Sequence, residues 1–306
     1  YNVPDSGTLY QYAENSLDHA KASGKNKLSF FSAEDYEKNL AVLELKEELY
    51  QSVRSGFEGF SLYYQPQVYT DSLKLYGAEA LLRFHSARHG IISPDKFIPI
   101  LEETGLIVVV GIWVLETALK QCKKWQKFIP KFNMSVNMSC CQLSKKDIAL
   151  DVISCLSRVG VSPECLTIEI TESASLLCGR NIDDTFLAWK KAGIRISVDD
   201  FGTGYSSLGR LKEMEVDEIK IDKCFVSELS SSVYNHKLIS NMIELADSQG
   251  MDVCCEGIET VSELIELKEL KPRLLQGYLF SKPCPPEDFE ELYFDKFNDK
   301  YKNRIK

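Results

Sequence analysis

The sequence predicts an α/β fold, a TIM-like (β/α)8 barrel, because short apolar runs alternate with longer helical segments after Gly56. Eight runs have the length and composition of strands: 62–67, 73–83, 132–137, 166–171, 194–199, 218–222, 252–256 and 274–280. Six segments carry apolar residues at helical spacing: 94–103, 107–126, 145–159, 181–192, 226–249 and 261–271. Strands and helices that alternate over this length form parallel βα units, and about eight of them can close a barrel.

The first two predicted strands follow each other without a helix, so we expect this pair to be antiparallel. An open, doubly wound sheet is the competing topology, because it uses the same alternation. Polar residues lie at the carboxyl ends of the strands: Glu79, Asn137, Glu169, Asp199, Asp200, Lys220, Asp222, Glu256 and Gln276. In a barrel these ends form one rim, where active sites are built.

Residues 5–31 precede this pattern and predict a helix followed by a strand. Leucine and alanine recur at helical spacing, Gly24 lies where the helix would end, and the apolar run "KLSFF" follows. Two elements do not make a domain, so we expect the end of an upstream domain or packing for the main one. Residues 32–55 predict a charged linker helix.

Composition narrows the class of protein. A formal net charge of -9 argues against non-specific nucleic-acid binding, so no DNA or RNA duplex is expected as a partner. The longest apolar run, residues 106–115, is too short for a membrane segment. Ten cysteines form no CxxC pair and no zinc-type quartet, which is typical of reduced core thiols. We therefore expect a cytoplasmic protein, or the cytoplasmic part of a larger, membrane-anchored one.

Two adjacent aspartates, Asp199 and Asp200, end a predicted strand and open into a loop that contains Gly202 and Gly204. Side chains alternate faces along a strand, so both carboxylates cannot enter one packed core, and the two charges repel unless a cation lies between them. Glycine permits sharp turns and a close approach of backbone to ligand. The motif predicts a metal site, with a solvated turn as the alternative.

The other residues of the rim indicate which metal to expect. Glu, Asp and Asn oxygens without His or Cys favour Mg²⁺ or Mn²⁺ over zinc, and several carboxylates can hold two ions. A single acidic residue at a strand end is more often a helix cap or a solvated loop residue, so the prediction depends on the whole set. His85 and His89 have metal-ligand spacing, but their segment contains Gly, Ser and Pro and predicts a solvated turn.

Lys220 lies inside the apolar run 218–222. Burial of a lone ammonium is unfavourable unless a carboxylate or a phosphate accompanies it, so the sequence predicts an anionic partner for this side chain.

Eight motifs occur in order along the chain: YYQPQV at 63–68, EALLR at 79–83, SVNMS at 135–139, EITE at 169–172, DDFGTGYSSL at 199–208, IKID at 219–222, EGIET at 256–260 and QGYLFSKP at 276–283. Together they resemble the EAL family of cyclic di-GMP phosphodiesterases, which are metal-dependent barrels. The resemblance covers about residues 56–289. Cys255 stands where alanine is common and Ile258 where valine is usual, and neither departure removes a ligand.

The resemblance implies a role for each residue of the site. The implied ligands of two metal ions are Glu79, Asn137, Glu169, Asp199, Asp200 and Glu256. The implied catalytic residues are Glu256, Lys220, Asp200 and Glu172. The implied substrate-binding residues are Gln65, Leu81, Arg83, Asp222, Glu259 and Gln276. In the family the glycine-rich loop is linked to dimerisation, which implies a homodimer through the barrel.

The beginning of the chain carries a second, shorter resemblance. Residues 9–31 look like the last helix and strand of a GGDEF diguanylate-cyclase domain. No GGDEF signature loop is present, so cyclase activity is not expected, and an upstream GGDEF or sensory domain is expected in the full-length protein. The predicted division is a GGDEF-like remnant at 1–31, a linker helix at 32–55, the EAL barrel at 56–298 and a tail at 299–306.

The resemblance implies metal-dependent hydrolysis of cyclic di-GMP to linear pGpG, which ends a bacterial second-messenger signal. A catalytically silent cyclic di-GMP receptor is the alternative, although such family members lack ligands and every matched position here holds an expected residue. A barrel phosphodiesterase for another substrate, such as a glycerophosphodiester, is disfavoured because the expected His pair is missing.

Overall fold

Nine strands form one sheet in the computed structural model, which describes residues 5–22, 24, 26, 28–172, 180–203, 216–227, 229 and 232–294. The strands are β1 (Phe60–Tyr69), β2 (Leu75–Ser86), β3 (Gly90–Ile92), β4 (Asn133–Asn137), β5 (Leu166–Thr171), β6 (Arg195–Phe201), β7 (Glu218–Ile221), β8 (Asp252–Cys255) and β9 (Leu274–Gln276). Eight of them close a barrel in the order β1-β9-β8-β7-β6-β5-β4-β2, because β1 also pairs with β2, and β3 lies beside β2 outside this ring.

The barrel has one antiparallel strand. β1 runs antiparallel to both of its neighbours, β2 and β9, while every other neighbouring pair within the ring is parallel. The parallel strands are covered on both sides, so β5 is buried at every position before its last residue, Thr171. The prediction of a TIM-like barrel with an antiparallel strand near its start is confirmed, and the open sheet is wrong.

Helices occupy the connections and precede the barrel. They are α1 (Ser6–Ala22), α2 (Ala33–Arg54), α3 (Pro94–Glu103), α4 (Leu106–Trp125), α5 (Cys140–Leu143), α6 (Ile148–Val159), α7 (Arg180–Ala192), α8 (Lys223–Val226), α9 (Val233–Ser248), α10 (Val261–Leu270) and α11 (Pro286–Tyr293). Aromatic packing joins two of them to the barrel wall: the Trp125 ring of α4 stacks on Phe289 of α11 at 4.4 Å and meets Tyr64 of β1 at 4.9 Å. All three side chains are at most 1% exposed, and such burial stabilises by about 2 kcal/mol per large side chain.

Several predicted boundaries are wrong. The helix predicted at 226–249 begins only at Val233, as α9, where the Ser232 hydroxyl accepts a hydrogen bond from the Asn235 amide (3.2 Å), and Val226 is instead the last residue of α8. The predicted helix at 145–159 begins only at Ile148. The last strand ends at Gln276 and continues as a turn rather than reaching residue 280.

The histidine segment forms a solvated turn, as predicted. Residues 87–89 form a turn between the end of β2 and β3, and both His85 and His89 are exposed. Ser86 holds the turn, since its hydroxyl accepts hydrogen bonds from the Arg88 and His89 amides at 3.1 and 3.0 Å. Such local hydroxyl-to-backbone bonding is typical of serine in turns.

The chain divides into two compact units, residues 1–59 with 86–90 and residues 60–85 with 91–306. In the first unit, α1 and α2 confirm the two predicted helices, but residues 28–31 form no strand. A lone strand has no partner for its backbone hydrogen bonds, and here Phe31 stacks on Tyr12 at 3.8 Å instead. In the same unit, Glu48 accepts hydrogen bonds from the Ser86 hydroxyl and the Ala87 amide, both at 2.7 Å.

The described cysteines are all free. Five of them are buried, but Cys141 and Cys224 are exposed, so the prediction of core thiols is wrong for these two. Within the described ranges no single helix is long and apolar enough to cross a membrane, and α3 and α4 pass that test only together, across a 120° bend. The glycine-rich loop from Gly204 and the predicted tail lie outside the described residues.

Candidate active site

Lys220 is the centre of a cluster of acidic side chains at the carboxyl-terminal rim of the barrel. Its ammonium nitrogen lies 2.7 Å from both Glu169 Oε2 and Glu256 Oε1, 3.3 Å from Glu79 Oε2 and 3.5 Å from Asp199 Oδ1. Its side chain is 1% exposed. The prediction that this buried lysine needs an anionic partner is therefore confirmed, with four carboxylates in place of one.

Four different strands deliver these carboxylates to one point. Glu79 comes from the middle of β2, Glu169 from β5, Asp199 from β6, and Glu256 directly follows β8. Neighbouring parallel strands place residues side by side, as the pairing of Asn137 with Glu169 shows. Residues far apart in sequence converge because the carboxyl ends of all the parallel strands share one rim.

Amide side chains hold the Glu79 carboxylate from two sides. Asn137 Nδ2 donates to Glu79 Oε1 and Gln276 Nε2 donates to Glu79 Oε2, both at 2.6 Å. Gln276 also reaches Gln65 Oε1 at 3.2 Å and accepts from Gln67 Nε2 at 3.0 Å. Of these residues only Gln67 was absent from the prediction, and its position two residues after Gln65 could have revealed that both face the interior.

Electrostatics in the cluster are unbalanced, since four carboxylates surround one ammonium. Burial and the nearby Glu79 charge raise the pKa of Glu169 well above its ordinary value, and burial raises the pKa of Glu256 to about 8. Burial alone would raise the pKa of Glu79, but the Lys220 charge and the amide donors hold this pKa below its ordinary value. The carboxylates around Lys220, with Asp199 foremost, raise its pKa against the effect of burial, so it stays charged.

The cluster fits an additional cation. Glu169 Oε1 is buried and has no hydrogen-bond partner within the described part of the chain, a state that normally destabilises a folded protein. No group of three or more His, Cys, Asp and Glu side chains among the described residues forms a metal-binding arrangement as it stands. An orphaned oxygen, surplus carboxylate charge and a donor set of oxygens alone are what Mg²⁺ or Mn²⁺ would use.

The adjacent aspartates lie at an irregularity of β6. The register with β7 shifts between Val198 and Phe201, and Asp200 has a φ of 55°, in the left-handed region. Such a bulge re-aims the side chains of a strand, so Asp199 meets Lys220 while Asp200 is exposed. Burial, with the neighbouring Asp199 charge, raises the pKa of Asp200.

Glu172 lies next to this bulge and is 2% exposed. Its Oε2 accepts a hydrogen bond from the Gly202 amide at 2.8 Å, which fixes the start of the glycine-rich segment. Gly202 has a backbone φ of 94°, a conformation that residues with a side chain rarely adopt. Glu172 therefore contacts the backbone at the start of this segment, and its catalytic role stays a prediction.

A cavity of about 250 Å³ opens above the cluster. Predicted residues that line it are Gln65, Glu79, Leu81, Asp199, Lys220, Glu256, Glu259 and Gln276. The sequence did not single out four further lining residues, which are Lys223, Gly257, Gly277 and Tyr278. All four lie within or directly after motifs that were recognised, so their place next to predicted residues was the available signal.

Two predicted substrate-binding residues do not line this cavity. Arg83 donates to the Leu82 carbonyl at 2.9 Å and lies over the Tyr63 ring at 5.5 Å. Asp222 caps α8 by accepting from the Cys224 amide at 2.9 Å. The structure accounts for both through these local contacts, and their substrate roles stay predictions.

A model of the EAL domain matches residues 46–283 of this chain. The chain belongs to the EAL domain family. Among the relatives of this EAL chain, the oxygen sensor protein DosP of Escherichia coli (strain K12) is 34% identical over 283 residues, which are 92% of this chain and 35% of that protein. The cyclic di-GMP phosphodiesterase NbdA of Pseudomonas aeruginosa is 32% identical over 93% of this chain and 36% of its own length.

Solved structures agree with this assignment. The phosphodiesterase domain of PaMucR in complex with c-di-GMP has a TM-score of 0.74 and 34% identity, and the match covers 80% of this chain and 99% of that one. The EAL enzyme Bd1971 in its cGMP-bound form has a TM-score of 0.77 and 31% identity over 84% of this chain and 71% of that one. The EAL chain thus spans about a third of the two curated relatives but nearly all of one solved phosphodiesterase.

Proposed function

We propose that this EAL domain hydrolyses one phosphodiester bond of cyclic di-GMP and releases linear pGpG, which ends a bacterial second-messenger signal. The observation that carries the proposal is the buried cluster of Glu79, Glu169, Asp199 and Glu256 around Lys220. Support also comes from relatives that are named as cyclic di-GMP phosphodiesterases and from the c-di-GMP complex of a structure 34% identical to this chain.

Two Mg²⁺ or Mn²⁺ ions would complete the site. Glu79, Asn137, Glu169 and Asp199 would hold one, while Asp199 and Asp200 would hold the other, with Glu256 as a further ligand or base. When bound, such ions lower the pKa of water and stabilise charge on the attacking and leaving oxygens. The orphaned Glu169 oxygen and the surplus negative charge support this assignment.

The chain's own side chains supply the remaining chemistry. The Lys220 ammonium is charged and buried. It would therefore attract the substrate phosphate and stabilise the negative charge that develops on that phosphate. Glu256 lies at the cavity edge, with a side chain that is 16% exposed, and in its ionised form it would accept a proton from the attacking water at its carboxylate. Gln65 and Gln276 would orient the nucleotide through their amides.

Incubation of the protein with cyclic di-GMP and Mg²⁺ or Mn²⁺, followed by chromatography of the products, tests the proposal. We expect linear pGpG, and we expect no product in a chelator or from an Asp199→Asn variant. Binding of cyclic di-GMP without any product in either metal would favour the silent receptor instead. Hydrolysis of a glycerophosphodiester at a comparable rate would contradict the substrate assignment.

The organisation of the full-length protein is also a proposal. An upstream GGDEF or sensory domain and a homodimer through the barrel follow from the motif resemblance, and a cytoplasmic location follows from the cysteine pattern. This chain spans about a third of the length of its curated relatives, which supports the presence of further domains in those relatives. Sedimentation of the purified chain at several concentrations tests the homodimer, and a concentration-independent monomer would contradict it.

A further inference from the structure

A second cavity lies at the opposite, amino-terminal end of the barrel. It has a volume of about 490 Å³ and is bounded by the turn after β1 and by the turn between α10 and β9. Tyr69 ends β1 and is followed by Thr70 and Asp71, while Lys268 lies in the last turn of α10 and Lys271 and Arg273 follow that helix. Its volume falls within the range of small-molecule sites in proteins, and it shares no residue with the catalytic cavity.

The charge of this cavity favours an anion. Lys268 and Lys271 are exposed, and neither forms an ion pair with any residue that the structure describes. Arg273 is already paired with Asp252 at 2.9 Å, and Asp71 is acidic, so the two lysines supply the attraction. Lysine is a compact point charge that binds phosphate well.

An independent observation also points to a ligand. Thr70 lines the cavity and is only 5% exposed, yet its hydroxyl has no hydrogen-bond partner in the described ranges. Buried polar groups are almost always paired, and an exception calls for an explanation such as an absent partner. A phosphate oxygen would accept this hydrogen bond.

One wall of the cavity is aromatic. The Tyr69 ring packs edge-on against Tyr76, with ring centroids 5.2 Å apart, so its position is fixed. We propose that this cavity, formed by Tyr69, Thr70, Lys268 and Lys271, binds a small organic phosphate that carries a planar ring, such as a nucleoside monophosphate. The proposal does not depend on the hydrolytic activity.

Calorimetric titration of the whole chain with AMP tests this site, in a buffer with chelator so that metal-dependent binding at the catalytic rim does not contribute. We expect one AMP per chain. The double variant Lys268→Gln with Lys271→Gln should weaken binding about tenfold or more, because it removes two charged donors. The matched control, Lys127→Gln with Lys131→Gln, makes the same change of charge at exposed lysines elsewhere and should bind like the wild type.

Thr70→Val provides a test that leaves the charge unchanged and removes only the hydroxyl. We expect weaker AMP binding with an unchanged circular dichroism spectrum. Unaltered affinity in the Lys268 and Lys271 double variant, or an equal loss in the control, would overturn the site. Inorganic phosphate that bound as tightly as AMP would overturn the planar ring as part of the ligand.

Discussion

The two ends of the barrel carry different balances of buried charge. At the amino-terminal end, Arg195 lies 2.5 Å from Asp252 and 3.9 Å from Glu218, and Arg273 lies 2.9 Å from Asp252, so two guanidinium groups meet two carboxylates. The Ser197 hydroxyl donates a further hydrogen bond to Glu218 at 3.0 Å. At the carboxyl-terminal rim, four carboxylates meet one ammonium.

This difference separates stability from function within one barrel. Buried charges are tolerated when each has a partner, as at the amino-terminal end, and such an arrangement needs nothing from solution. The surplus of negative charge at the rim is unfavourable in the protein alone and is relieved by a bound cation. The rim is therefore the end that ligand binding should stabilise, and the same substitution should have different effects at the two ends.

Glu169→Gln should have the largest effect. It keeps the size of the side chain but removes the charge whose second oxygen has no partner, so divalent-ion binding should weaken and pGpG formation should fall about 10³-fold, equivalent to about 4 kcal/mol. Calorimetry with Mn²⁺ and the product assay measure the two effects. Glu218→Gln is the matched control at the other end and should leave turnover within about threefold of the wild type, since it lies away from the cavity. Equal losses in both variants would break the comparison.

Lys220→Met should have a smaller effect on the affinity for divalent ions than on the rate of pGpG formation. Loss of the ammonium leaves four carboxylates without the positive charge between them, so the chelator-treated protein should lose about 3 kcal/mol of stability. Added Mn²⁺ should restore most of that loss, because cations replace the missing charge. Urea denaturation with and without metal measures it. If metal affinity fell as far as it does in Glu169→Gln, Lys220 would be needed for metal binding and not for chemistry alone.

Arg195→Met applies the same test at the amino-terminal end. Glu218 would keep only the Ser197 hydroxyl and Asp252 would keep Arg273, so we expect a loss of about 2 kcal/mol, less than for Lys220→Met. Here Mn²⁺ should restore nothing, since no surplus of carboxylates faces a cation site. Rescue by Mn²⁺ equal to that of the rim variant would show that the two ends do not differ.

The sequence predicted the rim better than the opposite end. Glu79, Asp199 and Glu256 could be found because each is a charged residue within an apolar strand or directly after one. The bulge at Asp199 could not be found, because it depends on the register of β6 against β7, which no local pattern encodes. The pairing of Glu218 with Arg195 was missed because the two charges lie on different strands and meet only when β6 pairs with β7.

The smallest predicted effect is a dependence of stability on pH. Burial raises the pKa of Glu218, so the folded chain holds this proton to higher pH than the unfolded chain does. The stabilisation is complete below the ordinary glutamate pKa of about 4.3 and is lost as pH rises through the folded pKa. In chelator, the wild type should therefore lose stability relative to Glu218→Gln as pH rises above about 4.3.

Glu290 provides a control with the opposite sign. Burial alone would raise its pKa, but hydrogen bonds from the Lys124 ammonium (2.7 Å) and the Trp125 ring nitrogen (2.9 Å) hold it below the ordinary value. Its contribution is present above the unfolded pKa and is lost as pH falls through the folded one. The stability difference between wild type and Glu290→Gln should thus grow with rising pH, while the Glu218 difference shrinks. Urea midpoints between about pH 2 and about pH 8 measure both, and slopes of the same sign would contradict the idea that burial without full compensation governs Glu218.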